Sequence, residues 1–271
     1  MSNIAISIND KNGTLLATDN GNYAVNLVYK AEYQEGDTIT LTTKPGSFLV
    51  IQLDDALAPS FVYMKGANYT LTIPFGEDRL AYNPKTFSGD IHLLKAREAE
   101  QCEIESRKNL ALNCHDTTSA KDVCFPHVSA NIETRRESVS AARNAIDGNT
   151  ENRSHGNWPY ESWVINCNPN AELTLEFGRA VKMDKLVLVP CADFPHDNYL
   201  QHATVTFLAP DGTEQSRTLD MGKSYAPHEW NFATAPKTIT SLKLGNLLKD
   251  ETAPSSFVAL TQIEVWGTEA E

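Results

Sequence analysis

The feature that most constrains this chain is a side-chain alternation of period two that recurs along its length. In Ala171-Glu-Leu-Thr-Leu-Glu-Phe177 the apolar Leu173, Leu175 and Phe177 fall on one face, and Glu172, Thr174 and Glu176 fall on the other. Thr38-Ile-Thr-Leu-Thr42 and Asn68-Tyr-Thr-Leu-Thr-Ile73 alternate in the same way. Successive strand residues point to opposite faces of a sheet, so these segments read as half-buried antiparallel strands. Ser47-Phe-Leu-Val-Ile-Gln-Leu53 and Lys185-Leu-Val-Leu-Val189 are more continuously apolar, as strands central to a sandwich are. Turn formers punctuate the strands at Asp10-Lys-Asn-Gly13, Asn20-Gly21, Lys44-Pro-Gly46 and Pro210-Asp-Gly212. Many short strands separated in this way predict an all-β chain built from β-sandwiches.

One segment departs from the pattern. Residues 94–108, from Leu94 to Lys108, are rich in helix formers and charge and contain neither Gly nor Pro. This segment reads as a short helical connector. The expected organisation is therefore an N-terminal β-sandwich over 1–93, a linker over 94–108 and a second sandwich over 109–271. A length of 271 residues with 41% hydrophobic side chains suits two medium domains with real cores. All four tryptophans, Trp158, Trp163, Trp230 and Trp266, lie in the second half.

Composition excludes several functions. No run approaches the roughly 20 apolar residues of a membrane helix, so no transmembrane insertion is expected. The formal charge of −12 would repel a phosphate backbone and argues against nucleic-acid binding. The opening Met1-Ser-Asn-Ile-Ala-Ile-Ser-Ile-Asn-Asp10 lacks the basic and apolar regions of a signal peptide. The sequence as it stands thus reads as cytoplasmic, or as extracellular if a leader has been removed. Cys102, Cys114, Cys124, Cys167 and Cys191 form an odd set without a Cys-x-x-Cys pair, which favours reduced thiols and lacks zinc-ligand spacing. Oligomeric state is not legible.

From residue 107 onward the chain resembles the discoidin-like family, the coagulation factor 5/8 type C domains that include family 32 carbohydrate-binding modules with a galactose-binding-like fold. Asn109-Leu-Ala-Leu-Asn113 looks like the family's first strand. Ser140-Ala-Ala-Arg-Asn-Ala-Ile-Asp-Gly148 is similar to its Ala-x-x-Ala-x-Asp-Gly turn, and Trp163 follows. Leu173-Thr-Leu-Glu-Phe-Gly-Arg179 resembles the strand that usually ends in Asp-Leu-Gly. Ala259-Leu-Thr-Gln-Ile-Glu-Val-Trp-Gly267 resembles the last strand. The resemblance implies a jelly-roll β-sandwich with ligand loops at one end, while fold alone leaves the ligand open among sugars, lipid headgroups and proteins. It also implies a structural calcium near the Asp-Gly turn. By motif position Asp147 would offer a carboxylate, with Asn144, Asn149 and Asn152 supplying further oxygens. Gln262 stands where the family commonly has a Glu ligand, which weakens the expected site. The alternative is that Asp147 anchors a tight turn through an Asx hydrogen bond.

Two loops carry recognition chemistry. Arg153-Ser-His-Gly-Asn-Trp-Pro-Tyr-Glu-Ser-Trp163 combines His155, Asn157, Trp158 and Tyr160 with Gly156 and Pro159. A sugar presents an apolar ring face edged with hydroxyls, so an aromatic can stack on it while His or Asn bonds its edge. Trp163, at the start of a strand, reads as core; Trp158 fits ligand contact and packing equally. The second loop, Cys191-Ala-Asp-Phe-Pro-His-Asp-Asn-Tyr199, gathers Asp193, His196, Asp197, Asn198 and Tyr199 at a strand end, where sandwiches place ligand contacts. Arg135 and Arg136, with Glu133 and Glu137 nearby, read as a clamp for a ligand or as a solvated charge run.

The sequence reading is thus a carbohydrate-binding protein without catalytic residues, its partner a glycan or small saccharide. One alternative is a carbohydrate-active enzyme using carboxylates such as Asp193, Asp197 and Glu161. A metal bound by His127, His155 and His196 is a further variant of that alternative. The other is a protein-interaction or assembly module. No nucleophile elbow, zinc-protease helix, Walker loop or dinucleotide glycine pattern is present.

Overall fold

The computed structural model describes residues 3–270; Met1, Ser2 and Glu271, which close the two ends of the predicted organisation, lie outside the described residues. The chain is all-β, with short helical turns between strands. Two hydrophobic cores organise it.

The first core lies between two antiparallel sheets. One sheet runs in the order Leu15–Gly21, Ile4–Asn9, Thr38–Thr42, Asn68–Thr72. The other runs Cys124–Phe125, Ser60–Met64, Ser47–Gln52, His92–Glu98, Ala24–Tyr29. Alternation decides which side chains meet: Ile4, Ile6, Ile8, Ile39 and Leu41 from one sheet are buried with Leu49, Ile51, Val62 and Leu94 from the other.

The helical connector expected over residues 94–108 requires correction. His92–Glu98 is a strand within that second sheet, and only Gln101–Glu105 is α-helical. Helix propensity is a weak preference, and pairing on both sides overrides it. The strand bonds to Ala24–Tyr29 and to Ser47–Gln52, burying Leu94 and Ala96 while Lys95 points outward. The short helix is set by a capping box between Glu100 and Glu103, and Arg97 holds both Glu103 oxygens at 2.7 Å.

The two cores exchange chain. Lys108–Asn109 pairs with the last strand, Ala259–Glu269, and Leu110 and Ala111 enter the second core. The chain then returns, so that Ala120 and Cys124 pack in the first core and Cys124–Phe125 extends its sheet beside Tyr63 and Met64.

The second core is wrapped by one nine-stranded antiparallel sheet whose main path is Trp163–Val164, Ala259–Glu269, Leu173–Pro190, Lys237–Lys249, Leu200–Leu208, Glu214–Asp220. Leu173–Pro190 is its spine. Its first part pairs with His127–Ala130 and Lys237–Lys249, and its second with Ala259–Glu269 and His228–Asn231. The register breaks between Glu176 and Val181. Gly178 lies in this break at φ +68°, and a Cβ there would sit 2.3 Å from the Phe125 ring, so the bend demands glycine. Trp163 is fully buried, its indole N–H donating to the Ile132 carbonyl at 2.9 Å, as a core residue should.

Candidate functional site

The strand Leu173–Pro190 delivers the chain to Cys191, and from there the second candidate loop is tied to the first. The Ala192 N–H donates to the Asn152 carbonyl at 2.7 Å, and the Asn152 amide donates back to the carbonyls of Pro190 and Tyr225 at 2.9 and 3.0 Å. Asn152 therefore staples three segments. This brings His155 and Asp193 together, with the His155 Nδ1–H donating to an Asp193 oxygen at 2.8 Å. The imidazoles of His155 and His196 stack with centroids 4.1 Å apart and planes 11° apart. On the other side, His196 stacks on Phe257 at 5.7 Å and 8°. Two loops read separately from sequence form one rim.

The residues beneath the rim are occupied internally. Asp197 is buried; one oxygen accepts from His196 Nδ1 at 3.0 Å, and the other from the Cys191 thiol and the Asp193 N–H at 3.0 and 3.3 Å. Burial and the Asp197 charge push the Cys191 thiol well above its ordinary range, which leaves it an S–H donor. Asn198 is buried too, its amide spanning to the Asp250 and Ser255 carbonyls at 2.9 and 2.8 Å, and its backbone N–H reaches Phe257. That network fixes the segment carrying Phe257. Tyr199 is half-buried and its N–H bonds to the Asn198 side chain.

Several rim residues were not singled out from sequence. Phe194 meets Tyr225 edge to face at 5.3 Å, the Arg153 guanidinium lies 5.9 Å from the Tyr225 ring, and Lys223 lies 4.7 Å from the Phe194 ring. Arg153, Asp193, Phe194 and Tyr225 line a shallow depression of about 460 Å³. Tyr225 and Phe257 are 49% and 52% exposed, so each offers part of its ring to a ligand.

Other predicted residues lie elsewhere. Trp158 lies at the seam between the cores, its backbone N–H donating to the Leu80 carbonyl at 2.8 Å. With Leu57, Tyr82, Asp147 and Glu161 it lines a cavity of about 280 Å³. Asn157 is exposed and accepts the N–H of half-buried Tyr160. Arg135 is exposed and pairs with Glu137 at 3.6 Å, and no hydrogen bond or ion pair joins it to the rim among the described residues.

Most of the groups expected to hold calcium are bonded to one another. The Gln262 amide nitrogen donates to Asp147 Oδ1 and to the Asn144 carbonyl, each at 2.8 Å. Calcium requires about six to eight oxygens around one point, and here that point holds an amide NH₂. Asn149 donates its N–H to Asp147 and its amide to Pro159 and Glu161, while Asn152 faces Pro190 and Tyr225. Burial, together with neighbouring Glu161, pushes the Asp147 carboxyl well above the usual range despite Arg143. Asp147, Asn144 and Gln262 are thus bonded to one another rather than turned towards a common centre. The buried Gln262 Oε1 and Glu161 Oε2 are left without partners.

The rim also holds a group of potential metal ligands. Ligand atoms of His155, His196 and Asp197 lie within 4.8 Å of one another. Ring-nitrogen lone pairs lie in the ring plane, however, and nearly parallel stacked rings do not aim them at a common centre. His127 lies elsewhere, bonded to Asp116.

No protein-family model and no curated protein matches the sequence. Among solved structures, the chain is similar to the family 32 carbohydrate-binding module of C. perfringens NanJ in complex with galactose, at 17% identity and TM-score 0.40 over 51% of this chain and 91% of that one. It is similar to the lectin domain of lectinolysin complexed with Lewis B antigen, at 20% identity and TM-score 0.45 over 60% and 98%. A fucose-binding module of Streptococcus pneumoniae matches at 11% identity and TM-score 0.42 over 60% and 99%. What the fold and the site define here is an all-β protein whose second core carries a rim of stacked histidines, carboxylate and exposed aromatic faces.

Proposed function

We propose that the protein binds glycans at the rim formed by His155, Asp193, His196, Arg153, Tyr225 and Phe257, without acting on them chemically. The observation that carries this reading is the convergence of the two loops through the His155–Asp193 bond and the His155–His196 stack. Exposed ring faces suit the apolar face of a sugar, and the imidazoles, Asp193 and Arg153 suit its hydroxyl edge. Each imidazole uses Nδ1 internally, leaving Nε2 to a ligand. A glycosidase needs two carboxylates flanking the scissile bond. Here Asp197 is buried beneath the rim and Asp193 is engaged by His155, which favours binding over hydrolysis. The open rim predicts weak affinity, on the order of micromolar to millimolar.

A glycan-array screen of the purified chain tests the reading. Selective binding to one sugar class is expected, and its loss in Arg153→Ala and Tyr225→Ala would place it on the rim. A blank array, or binding untouched by either change, contradicts the proposal.

A further inference from the structure

A cleft of about 500 Å³ lies between the two cores, apart from the rim. Its inner wall holds His127, 3% exposed, whose Nδ1–H donates to Asp116 Oδ1 at 2.8 Å. Asp116 is fully buried, and its second oxygen accepts the Val128 N–H at 3.0 Å. The carboxylate therefore fixes the ring's orientation and leaves Nε2 as the free edge at the cleft wall. Burial opposes a charge on this ring, but the Asp116 contact, with the Glu176 carboxylate on the paired strand adding to it, raises the His127 pKa.

The charges around His127 are unequal in availability. Lys121 and Arg136 are exposed on the cleft wall, and Lys121 is close enough for its charge to act on His127. Of the carboxylates in the wall, Asp116 is held by His127, Glu133 caps the Ala142 N–H at 2.7 Å and Glu137 pairs with Arg135. Asp78, on the lip from the first core, completes the set. Arg143, also on the wall, is bonded to the Asp116 and Cys114 carbonyls, so Lys121 and Arg136 are the cations left available beside the His127 edge. The turn presenting Arg136 is strained as well, with Arg135 and Arg136 both left-handed at φ +53° and +58°. Hydroxyl side chains at Thr118 and Ser129 add neutral hydrogen-bonding groups, while Ile73, Pro74 and Val128 supply an apolar floor.

We propose that this cleft is a second ligand site, taking a small hydroxy-carboxylate such as a sugar acid. Its carboxylate sits among His127 Nε2, Lys121 and Arg136, and its hydroxyls face Asp78, Thr118 and Ser129. Asp78 disfavours a bare carboxylate but accepts from a hydroxyl, which selects for both groups on one molecule. The site does not depend on the rim and would stand if the rim bound nothing.

The test is a titration of nitrogen-15 labelled protein with D-galacturonate, methyl galactoside and acetate, following the ring signals of the histidines. Galacturonate is expected to move the His127 signals saturably while the other two leave them in place. Arg136→Gln and Lys121→Gln, both at exposed positions that spare the fold, should each weaken galacturonate binding about tenfold. His127→Gln should remove it. Immobile His127 signals, equal movement with methyl galactoside or with acetate, response only at His155 and His196, or unchanged affinity in both cation variants would each overturn the site.

Discussion

The imidazoles of His155 and His196 come from loops some forty residues apart and lie face to face, 4.1 Å between centroids. Neither ring is held by the other alone. Asp193 takes the Nδ1–H of His155 and Asp197 that of His196, so two carboxylates fix two rings in register. Phe257 extends the stack to a third ring at 5.7 Å from His196. The three rings cover one another's faces, so the stack turns its ring edges, with the imidazole Nε2 atoms, outward.

Calcium should leave the stability of this protein unchanged. Gln262 donates to both Asp147 and Asn144, so the wild-type melting temperature in millimolar calcium and in chelator should agree within about one degree. Gln262→Glu removes the donor and adds a carboxylate. That variant should be less stable in chelator and regain several degrees with calcium, since binding to the native state stabilises it by mass action. A clear calcium-dependent rise in the wild type would show that the ion displaces the amide.

Gly178→Ala should destabilise the chain by roughly 2–4 kcal/mol in urea unfolding. The added methyl would meet the Phe125 ring at 2.3 Å in a residue at φ +68°, at the bend of the long strand. A cost within about 0.5 kcal/mol would mean that the bend does not constrain the two cores as described.

Acid should weaken the fold through His115. This ring is buried, accepts the Leu53 N–H at Nε2 and has its pKa pushed from 6.5 down to about 3 by burial, with Arg143 adding to the effect. Above 6.5 neither the folded nor the unfolded chain protonates it. Below that, the unfolded chain takes up a proton that the native state refuses, so stability falls as pH drops, by up to about 1.4 kcal/mol per pH unit from this group. Asp147, with its raised pKa, acts in the opposite direction. The wild type should therefore be compared with His115→Gln, which keeps an acceptor for Leu53. Relative to that variant, wild-type stability should decline between about pH 6.5 and pH 5; parallel profiles would contradict a neutral buried ring.

Much of the fold was legible because one buried face imposes period two, as at Ile39 and Leu41 or at Leu173, Leu175 and Phe177. Residues 94–98 misled because Lys95, Arg97 and Glu98 favour a helix by composition, whereas Leu94 and Ala96 are claimed by neighbouring strands. The rim was partly legible: His155, Asp193 and His196 are polar residues crowded at strand ends. Asp197 and Asn198 have the same sequence character but turn inward to hold the loops, a distinction that depends on tertiary partners. Tyr225 and Phe257 are single aromatics on distant segments, brought to the rim by Asn152 and Asn198. Trp158 reads equally as ligand contact or packing from sequence; its backbone N–H is bonded to Leu80 at the seam and its side chain lines the cavity there.

The most direct measurement is a calorimetric titration of the best array sugar into wild type, His196→Ala and Trp158→Ala. His196 stands in the ring ladder and Trp158 at the seam, 38% exposed. The account predicts that His196→Ala lowers affinity at least about tenfold, as loss of a stacking and hydrogen-bonding residue should, while Trp158→Ala binds like wild type. Full binding in His196→Ala with loss in Trp158→Ala would contradict it and move recognition to the seam.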